Sequence, residues 1–240
     1  MEKHMLPEKD AAHLARIADD TELKTLIQYN KNHDDILARL CDVYGSDKGS
    51  LTADAHAYPW NSHNYTDYYS RLFSHCRNHV KKVFECGLGT NNPNLPSSMG
   101  VNGKPGASLR VWRDYFPNAM VYGADIDCDI LFQEERINTW YIDQLNPDAI
   151  RKFWETVGEH DFDFIVDDGL HTFQAGSTLF TYSIDKLAQH GVYVIEDVTC
   201  EDLEKYKEFF KTTNYTVEFV TLYPSPNNAF FDNNLVVIRN

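Results

Sequence analysis

Phe162-Asp-Phe-Ile-Val-Asp-Asp-Gly-Leu-His171 is a short apolar run that ends in two carboxylates, a glycine and an imidazole. The run predicts a buried strand that carries its polar chemistry at the carboxyl end. Gly191-Val-Tyr-Val-Ile-Glu-Asp197 has the same design, with apolar residues followed by two acids. Neighbouring strands lie about 4.8 Å apart, and open α/β sheets bind ligands beyond the carboxyl ends of their strands. We therefore expect one crevice that collects polar side chains from both strand ends, namely Asp167, Asp168, His171, Glu196 and Asp197.

Further segments extend these two strands into a sheet. Apolar strands are predicted at residues 81–86, 121–127 and 139–144, and two late strands at 215–223 and 234–239 are joined by a short loop. Strands that alternate with helices form parallel sheets through right-handed crossovers, whereas a short loop favours an antiparallel pair. The predicted fold class is therefore α/β, a doubly wound, mostly parallel seven-stranded sheet that ends in a hairpin.

The N-terminal segment has a different pattern, because its apolar residues recur at helical spacing. These residues are Leu14, Ile17, Leu23, Leu26, Ile27, Ile36, Leu37 and Leu40. We expect residues 1–55 to form an N-terminal helical appendage to a main domain over residues 56–240. The apolar stripes predict packing against the main domain or against a second subunit, and hence a homo-oligomer.

The composition excludes several classes of protein. The net charge of −14 and the pI near 5.0 argue against a nucleic-acid partner, since phosphate groups need a basic face. No apolar run approaches the roughly 20 residues that cross a bilayer, and the N-terminus lacks the hydrophobic region of a signal peptide. The five cysteines form no Cys-x-x-Cys pair, which fits reduced thiols. We therefore expect a cytoplasmic protein without membrane insertion.

A glycine turn follows the strand at residues 81–86. Glu85-Cys-Gly87-Leu-Gly89 allows tight turning and close approach of the backbone to a ligand. Gly-x-Gly after a strand fits nicotinamide, flavin and methyl-donor sites alike, but the third glycine of the dinucleotide fingerprint is absent here. Glu85 is placed where a carboxylate could meet a cationic amino group.

Acids also close the next two strands. Asp125 is predicted to bind ribose hydroxyls, with Asp127 as the alternative, because the two oxygens of one carboxylate can accept both hydroxyls. Asp143 or Gln144 is placed to meet the edge of an adenine. The loop at residues 91–106 is rich in proline, glycine and asparagine, which predicts either a functional lid or a disordered segment.

Taken together, residues 80–240 resemble the class I S-adenosylmethionine-dependent methyltransferases, which have a Rossmann-like sheet. The chain more closely resembles the metal-dependent sugar O-methyltransferases of macrolide biosynthesis, of the mycinamicin and tylosin type. The motifs that carry this resemblance are Tyr44-Gly-Ser-Asp-Lys-Gly49, His63-x-Tyr65-Thr66, Ser108-Leu-Arg-x-Trp-x-Asp-x-Phe-Pro117, Asp168-Gly-x-His171 and Glu196-Asp197.

The resemblance implies S-adenosylmethionine as the methyl donor and a divalent cation at the strand ends. It implies Asp168, Glu196 and Asp197 as metal ligands and His171 as the general base. Oxygen ligands favour Mg²⁺, Mn²⁺ or Ca²⁺ over zinc, and we expect Mg²⁺. The residues expected on the cofactor side are Tyr65, Glu85, Gly87, Gly89, Ser108, Asp125, Asp143, Gln144 and Asp167.

This chemistry fits a hydroxyl acceptor. A sugar hydroxyl is a poor nucleophile at neutral pH, so that methyl transfer gains from polarisation by a cation and from proton removal by an imidazole. The expected partner is a small sugar-containing acceptor, and an antibiotic sugar, a nucleotide sugar and a surface-polysaccharide sugar all remain open. The alternatives are a catalytically inactive donor-binding scaffold and a nicotinamide-dependent oxidoreductase. The oxidoreductase is disfavoured because the chain lacks the third loop glycine.

Overall fold

The computed structural model describes residues 35–51, 55, 58, 60–223 and 232–240, together with the backbone of residues 24–28. The strands are β1 (Lys24–Gln28), β2 (Lys82–Cys86), β3 (Met120–Asp125), β4 (Gln133–Glu134), β5 (Ile137–Tyr141), β6 (Phe162–Asp167), β7 (Leu187–Ile195), β8 (Thr216–Tyr223) and β9 (Asn234–Arg239). The helices are α1 (Ile36–Tyr44), α2 (Thr66–Phe73), α3 (Ala107–Tyr115), α4 (Pro147–Val157), α5 (Phe173–Ser183) and α6 (Cys200–Phe210).

The strands form one mixed sheet in the order β1-β8-β9-β7-β6-β2-β3-β5-β4. Strands β7, β6, β2, β3 and β5 are parallel to their neighbours in the centre, and β9 is antiparallel to both β7 and β8. The doubly wound, mostly parallel α/β fold with a terminal hairpin is confirmed. The sheet of the described chain has nine strands rather than seven, because β1 and the two-residue β4 add to its edges.

Strand β1 corrects the helix predicted around Leu23, Leu26 and Ile27. The segment Lys24–Gln28 runs parallel to β8 instead. Short apolar runs do not distinguish helix from strand by spacing alone, and the edge of β8 offers unpaired backbone groups that a strand can satisfy. The helices predicted before residue 24 lie outside the described residues.

Helix α1 confirms the last predicted N-terminal helix. Asp35 caps it by accepting a hydrogen bond from the backbone N–H of Leu37, and Gly45 ends it with a φ of 79°. Leu37 and Cys41 are fully buried in the same apolar cluster as Val83 of β2. The helix therefore packs into the main core against α3 and α2, while the division of the chain at residue 55 stays a prediction.

Both faces of the sheet are covered by apolar clusters. Val83, Phe164 and Val194 face one cluster, and Phe84, Ile165 and Ile195 face the other. Burial on both sides explains why the central strands read as nearly continuous apolar runs. No helix in the described ranges is long and apolar enough to cross a bilayer, and all five cysteines are free.

The register of the central strands aligns their carboxyl ends. Cys86 of β2 pairs with Asp167 of β6, which pairs with Ile195 of β7. Strands β2, β6 and β7 therefore end side by side, and the residues that follow them are Gly87, Asp168 and Glu196. This alignment brings the polar residues after each strand to one edge.

Candidate functional site

An acid–histidine–acid cluster lies at this edge. The His171 ring lies between two carboxylates, with Nε2 3.2 Å from Asp168 Oδ1 and Nδ1 3.4 Å from Asp197 Oδ2. The three side chains offer ligand atoms that all lie within 4.8 Å of one another. The predicted convergence of Asp168, His171 and Asp197 is therefore present in the folded chain.

The backbone at this cluster is strained. His171 and Asp197 both have positive φ values, 56° and 50°. Non-glycine residues adopt this left-handed conformation at a cost, and such outliers concentrate at functional sites.

Glu196 occupies a different environment from its neighbour Asp197. Its carboxylate accepts hydrogen bonds from the Lys48 ammonium and the Tyr69 hydroxyl. Lys48 Nζ also lies 2.6 Å from Asp168 Oδ2 and 3.4 Å from Glu85 Oε1. Of the three predicted metal ligands, the structure therefore brings Asp168 and Asp197 to the cluster and directs Glu196 into a buried ion network.

The charges of this network shift the pKa values of its members. Burial acts to lower the pKa of Lys48, but the carboxylates of Asp168 and Glu196 outweigh it and raise that pKa well above its usual value. Burial acts to raise the pKa of Asp168, and the Lys48 ammonium and His171 nevertheless hold it below its usual range. Lys48 is therefore a permanent internal cation, and Asp168 is ionised.

His171 is strongly affected by its two acids. Burial alone would lower the pKa of its imidazole, but the Asp197 and Asp168 carboxylates raise it to about 10. The side chain is 30% exposed, so the ring reaches solvent on one side. In the absence of a bound cation His171 is therefore protonated at neutral pH.

The donor set fits a divalent cation. The carboxylates of Asp168 and Asp197 supply oxygen ligands without sulfur, and they lie close enough to each other and to His171 to share one ion beside the imidazole. Tyr65 holds the Asp197 carboxylate in place. Its buried hydroxyl donates to Asp197 Oδ1 and accepts from the Asp197 backbone N–H at 3.2 Å. Tyr65 was predicted on the cofactor side, and its contact in the structure is with the cluster.

A cleft of about 210 Å³ opens beside the cluster. Gly87 and Gly89 form one wall and both have positive φ values, 95° and 79°. The long loop predicted as a lid or a disordered segment lines the cleft through Leu95, Pro96, Ser97 and Met99. The Asn91 side chain ties this loop to the carbonyl oxygens of Gly100 and Gly103 at 2.6 and 2.9 Å.

The predicted ribose and adenine residues lie in the same cleft. Asp125 lines it and accepts hydrogen bonds from the backbone N–H groups of Leu88 at 2.7 Å and Asp127 at 2.8 Å. Each carboxylate oxygen retains a second lone pair for a ligand. Asp143 and Gln144 also line the cleft, and Gln144 accepts from the Leu170 backbone N–H at 2.9 Å, which fixes the turn that carries His171.

Three predicted cofactor-side residues are buried below the cleft. Glu85 accepts from Trp112 Nε1 at 2.6 Å, and the cation it meets is Lys48. Burial raises the pKa of Glu85 to about 7, although the Lys48 ammonium and the Ser108 hydroxyl act to lower it. Asp167 was predicted on the cofactor side, and in the structure it accepts from Gln144 and from the Gly169 backbone N–H at 3.3 Å, so that it caps the turn after β6.

The sequence did not identify several residues of the site. Asp47 lines the cleft and accepts from Trp60 Nε1 at 2.8 Å, and the buried His63 lies 3.5 Å from Asp197 through Nδ1. Asp47, Lys48 and His63 belong to the motifs Tyr44–Gly49 and His63–Thr66, and Tyr69 follows the second motif in α2. The motifs were therefore the available signal, but spacing along the chain could not assign contacts across more than 100 residues.

No protein-family model matches the chain. The chain is 32% identical over 162 residues to the 8-demethyl-8-α-L-rhamnosyl tetracenomycin-C 2'-O-methyltransferase of Streptomyces olivaceus, an alignment that covers 68% of this chain and 37% of that protein. It is 30% identical over 193 residues to the 8-demethyl-8-(2-methoxy-α-L-rhamnosyl)-tetracenomycin-C 3'-O-methyltransferase of the same organism, covering 80% and 47%. The chain thus spans less than half the length of these curated relatives.

A solved structure has a similar fold. The MycE methyltransferase of the mycinamycin biosynthetic pathway, in complex with Mg, SAH and mycinamycin VI, superposes with a TM-score of 0.60 at 22% identity. The match covers 86% of this chain and 55% of that chain. This match shows the Rossmann-like fold of the class I S-adenosylmethionine-dependent methyltransferases. The sequence alignments confirm the family resemblance of the motifs, because the chain is homologous to part of these sugar O-methyltransferases.

Proposed function

We propose that this protein is a divalent-metal-dependent O-methyltransferase that moves a methyl group from S-adenosylmethionine to a hydroxyl of a sugar or glycosylated small molecule. One observation carries the proposal: the glycine-walled cleft and the Asp168–His171–Asp197 cluster meet at one edge of the sheet. A donor in the cleft would have its methyl group beside the cluster. The named activities of the curated relatives support the same reaction class.

The residues divide into a donor side and an acceptor side. Gly87 and Gly89 allow the donor to approach the backbone, and Asp125 presents a carboxylate for its ribose hydroxyls. Asp168 and Asp197 would hold the cation, preferably Mg²⁺, which supplies Lewis-acid polarisation of the acceptor hydroxyl. Glu196 stays a predicted ligand, which would require its carboxylate to exchange a contact with Lys48 or Tyr69.

His171 would accept the hydroxyl proton. A general base must be neutral before it takes up a proton, and the two ionised acids keep this imidazole protonated when no cation compensates their charge. A cation bound by Asp168 and Asp197 would balance their negative charge, and the pKa of the His171 imidazole would then fall. The same acids thus serve the cation and set the protonation of the base.

The acceptor is proposed as a class. Natural-product sugars, nucleotide sugars and surface-polysaccharide sugars all present the hydroxyl that this site requires. We propose that the reaction takes place in the cytoplasm, in keeping with the five free cysteines.

The test is methyl transfer from labelled S-adenosylmethionine to a panel of these three sugar classes, with Mg²⁺ and then with EDTA. We expect transfer to at least one class, loss with EDTA and recovery with Mg²⁺. His171→Ala should lower transfer by at least about 100-fold while calorimetric binding of S-adenosylhomocysteine changes by less than about 3-fold. His75→Ala, at an exposed position after α2, is the matched control and should be unaffected.

The outcomes separate the alternatives. Near-normal transfer by His171→Ala contradicts the proposed base. Transfer that persists in EDTA contradicts the metal dependence. Donor binding without transfer to any member of the panel favours the inactive donor-binding scaffold.

A further inference from the structure

We propose that Lys48 is a positioning residue that holds Asp168 and Glu196 with one internal cation, so that the second oxygen of Asp168 faces the metal position. This inference rests on the proposed function, since it concerns the cation of that site. Lys48 lies outside the acid–histidine–acid cluster and reaches it through the two carboxylates.

The ammonium joins the ends of three strands. Its carboxylate partners are Glu85 at the end of β2, Asp168 after β6 and Glu196 after β7. The ammonium donates hydrogen bonds to Asp168 and Glu196, and it forms a longer ion pair of 3.4 Å with Glu85 Oε1. The Lys48 side chain is only 4% exposed, so water and dissolved ions do not reach the ammonium to compete for its carboxylate partners.

The contacts assign different tasks to the two oxygens of Asp168. Oδ2 lies 2.6 Å from Lys48 Nζ, and Oδ1 lies 3.2 Å from His171 Nε2. Because Lys48 holds Oδ2, the Asp168 carboxylate cannot rotate freely, and Oδ1 stays directed toward His171 and Asp197. Partners of this kind orient metal ligands, and their removal typically weakens metal binding 10- to 100-fold.

The loop that carries Lys48 is fixed by its backbone. The Thr66 backbone N–H donates to the Lys48 carbonyl at 3.1 Å, the His63 N–H to the Asp47 carbonyl at 2.8 Å and the Asn64 N–H to the Gly49 carbonyl at 3.0 Å. These bonds tie residues 47–49 to the start of α2. The long side chain therefore leaves from a defined point, which a positioning role requires.

A simple competitor role predicts the opposite sign. An ammonium beside an acid cluster repels a second cation, so a lysine that merely neutralised the acids would oppose metal binding. Its removal would then tighten the binding of a divalent ion. The direction of the change in metal affinity thus distinguishes a positioning lysine from a competing one.

The experiment is calorimetric titration of the metal-free protein with Mn²⁺, and separately with S-adenosylhomocysteine, for the parent and Lys48→Met. We expect the Mn²⁺ dissociation constant to rise by 10-fold or more, while affinity for S-adenosylhomocysteine changes by less than about 3-fold. Lys82→Met is the matched control, because Lys82 pairs with Glu159 at the start of β2, away from this edge. It should leave both constants unchanged.

Lys48→Arg is measured in parallel, since it keeps the buried charge that Lys48→Met removes. Its larger, planar head cannot place one ammonium between three carboxylates, so we expect Mn²⁺ binding to weaken about 3-fold or more. Equal or tighter Mn²⁺ binding in the folded variants overturns the positioning role while leaving the proposed function intact. Failure of the parent to bind Mn²⁺ overturns both.

Discussion

Asp167 is a buried carboxylate at the carboxyl end of β6. Its Oδ1 is bonded to Gln144 and Gly169, whereas its Oδ2 has no hydrogen-bond partner among the described residues. Burial raises its pKa from 3.8 to about 7, with the Gln144 and Gly169 hydrogen bonds opposing the rise. Ionisation of the Asp167 carboxyl therefore lowers the free energy of unfolding of the protein.

The sign of this cost gives a pH-dependent prediction. Below pH 3.8 the carboxyl is protonated in both states. Between pH 3.8 and about 7 only the unfolded state ionises, so stability falls as pH rises, by about 1.4 kcal/mol per unit. Asp167→Asn removes this contribution, and we expect its stability relative to the parent to increase by up to about 4 kcal/mol between pH 4 and 7.5.

Urea unfolding of the metal-free and donor-free proteins at pH 4.5, 6.0 and 7.5 measures the difference. Asp148→Asn is the control, since the Asp148 side chain is 91% exposed. A stability difference between Asp167→Asn and the parent that stays constant over this range would contradict the assigned pKa.

At the scale of elements, the site depends on how closely β2 approaches the turn after β6. Gly87 leaves β2 with a φ of 95°, and a methyl group there would lie 1.9 Å from the Asp168 carbonyl oxygen. Both a left-handed conformation and a missing side chain are therefore needed at this position. The approach brings the donor wall and Asp168 into contact.

Gly87→Ala should separate these two elements. The clash is with backbone, which cannot move aside as a flexible side chain can, so we expect destabilisation of about 3 kcal/mol or more and loss of donor binding. Gly100→Ala is the matched control, because Gly100 also has a positive φ of 71° but open space around it. It should cost only about 1–2 kcal/mol in thermal or urea unfolding and retain donor binding. Equal effects of the two substitutions would contradict the close approach.

At the scale of the whole molecule, helix α1 shares the core of the sheet and still presents an apolar face. Leu37 is fully buried, whereas Ile36 is 40% and Val43 is 71% exposed. Exposed apolar patches often mark protein–protein contacts. This supports the predicted homo-oligomer without identifying its partner surface.

Light scattering coupled to size exclusion should therefore give a mass of at least two chains. Val43→Glu should shift the population toward the monomer, because a charge would have to be buried in the contact. Val101→Glu, at another exposed apolar position, controls for a general loss of surface hydrophobicity. A monomer at all concentrations of the parent would contradict the prediction.

The sequence by itself predicted the parallel sheet and the alignment of the carboxyl ends of its strands. Apolar runs that end in acids at Asp125, Asp168 and Asp197 predicted parallel strands with aligned carboxyl ends, because local hydrophobicity and chain direction decide both properties. The glycine turn at Gly87 was predicted because glycine allows a chain to turn tightly after a strand. Strand β1 was missed, since its pairing depends on the distant edge of β8.

Only the tertiary structure decided how the acids are divided. Glu196 and Asp197 follow the end of β7, where strand alternation no longer applies. Glu196 enters the buried network, while Asp197, with its positive φ, lies against His171. Lys48 reaches Asp168 across 120 positions of sequence. Strand periodicity predicts which residues follow a strand, whereas the partner of each carboxylate depends on side chains that folding brings from elsewhere in the chain.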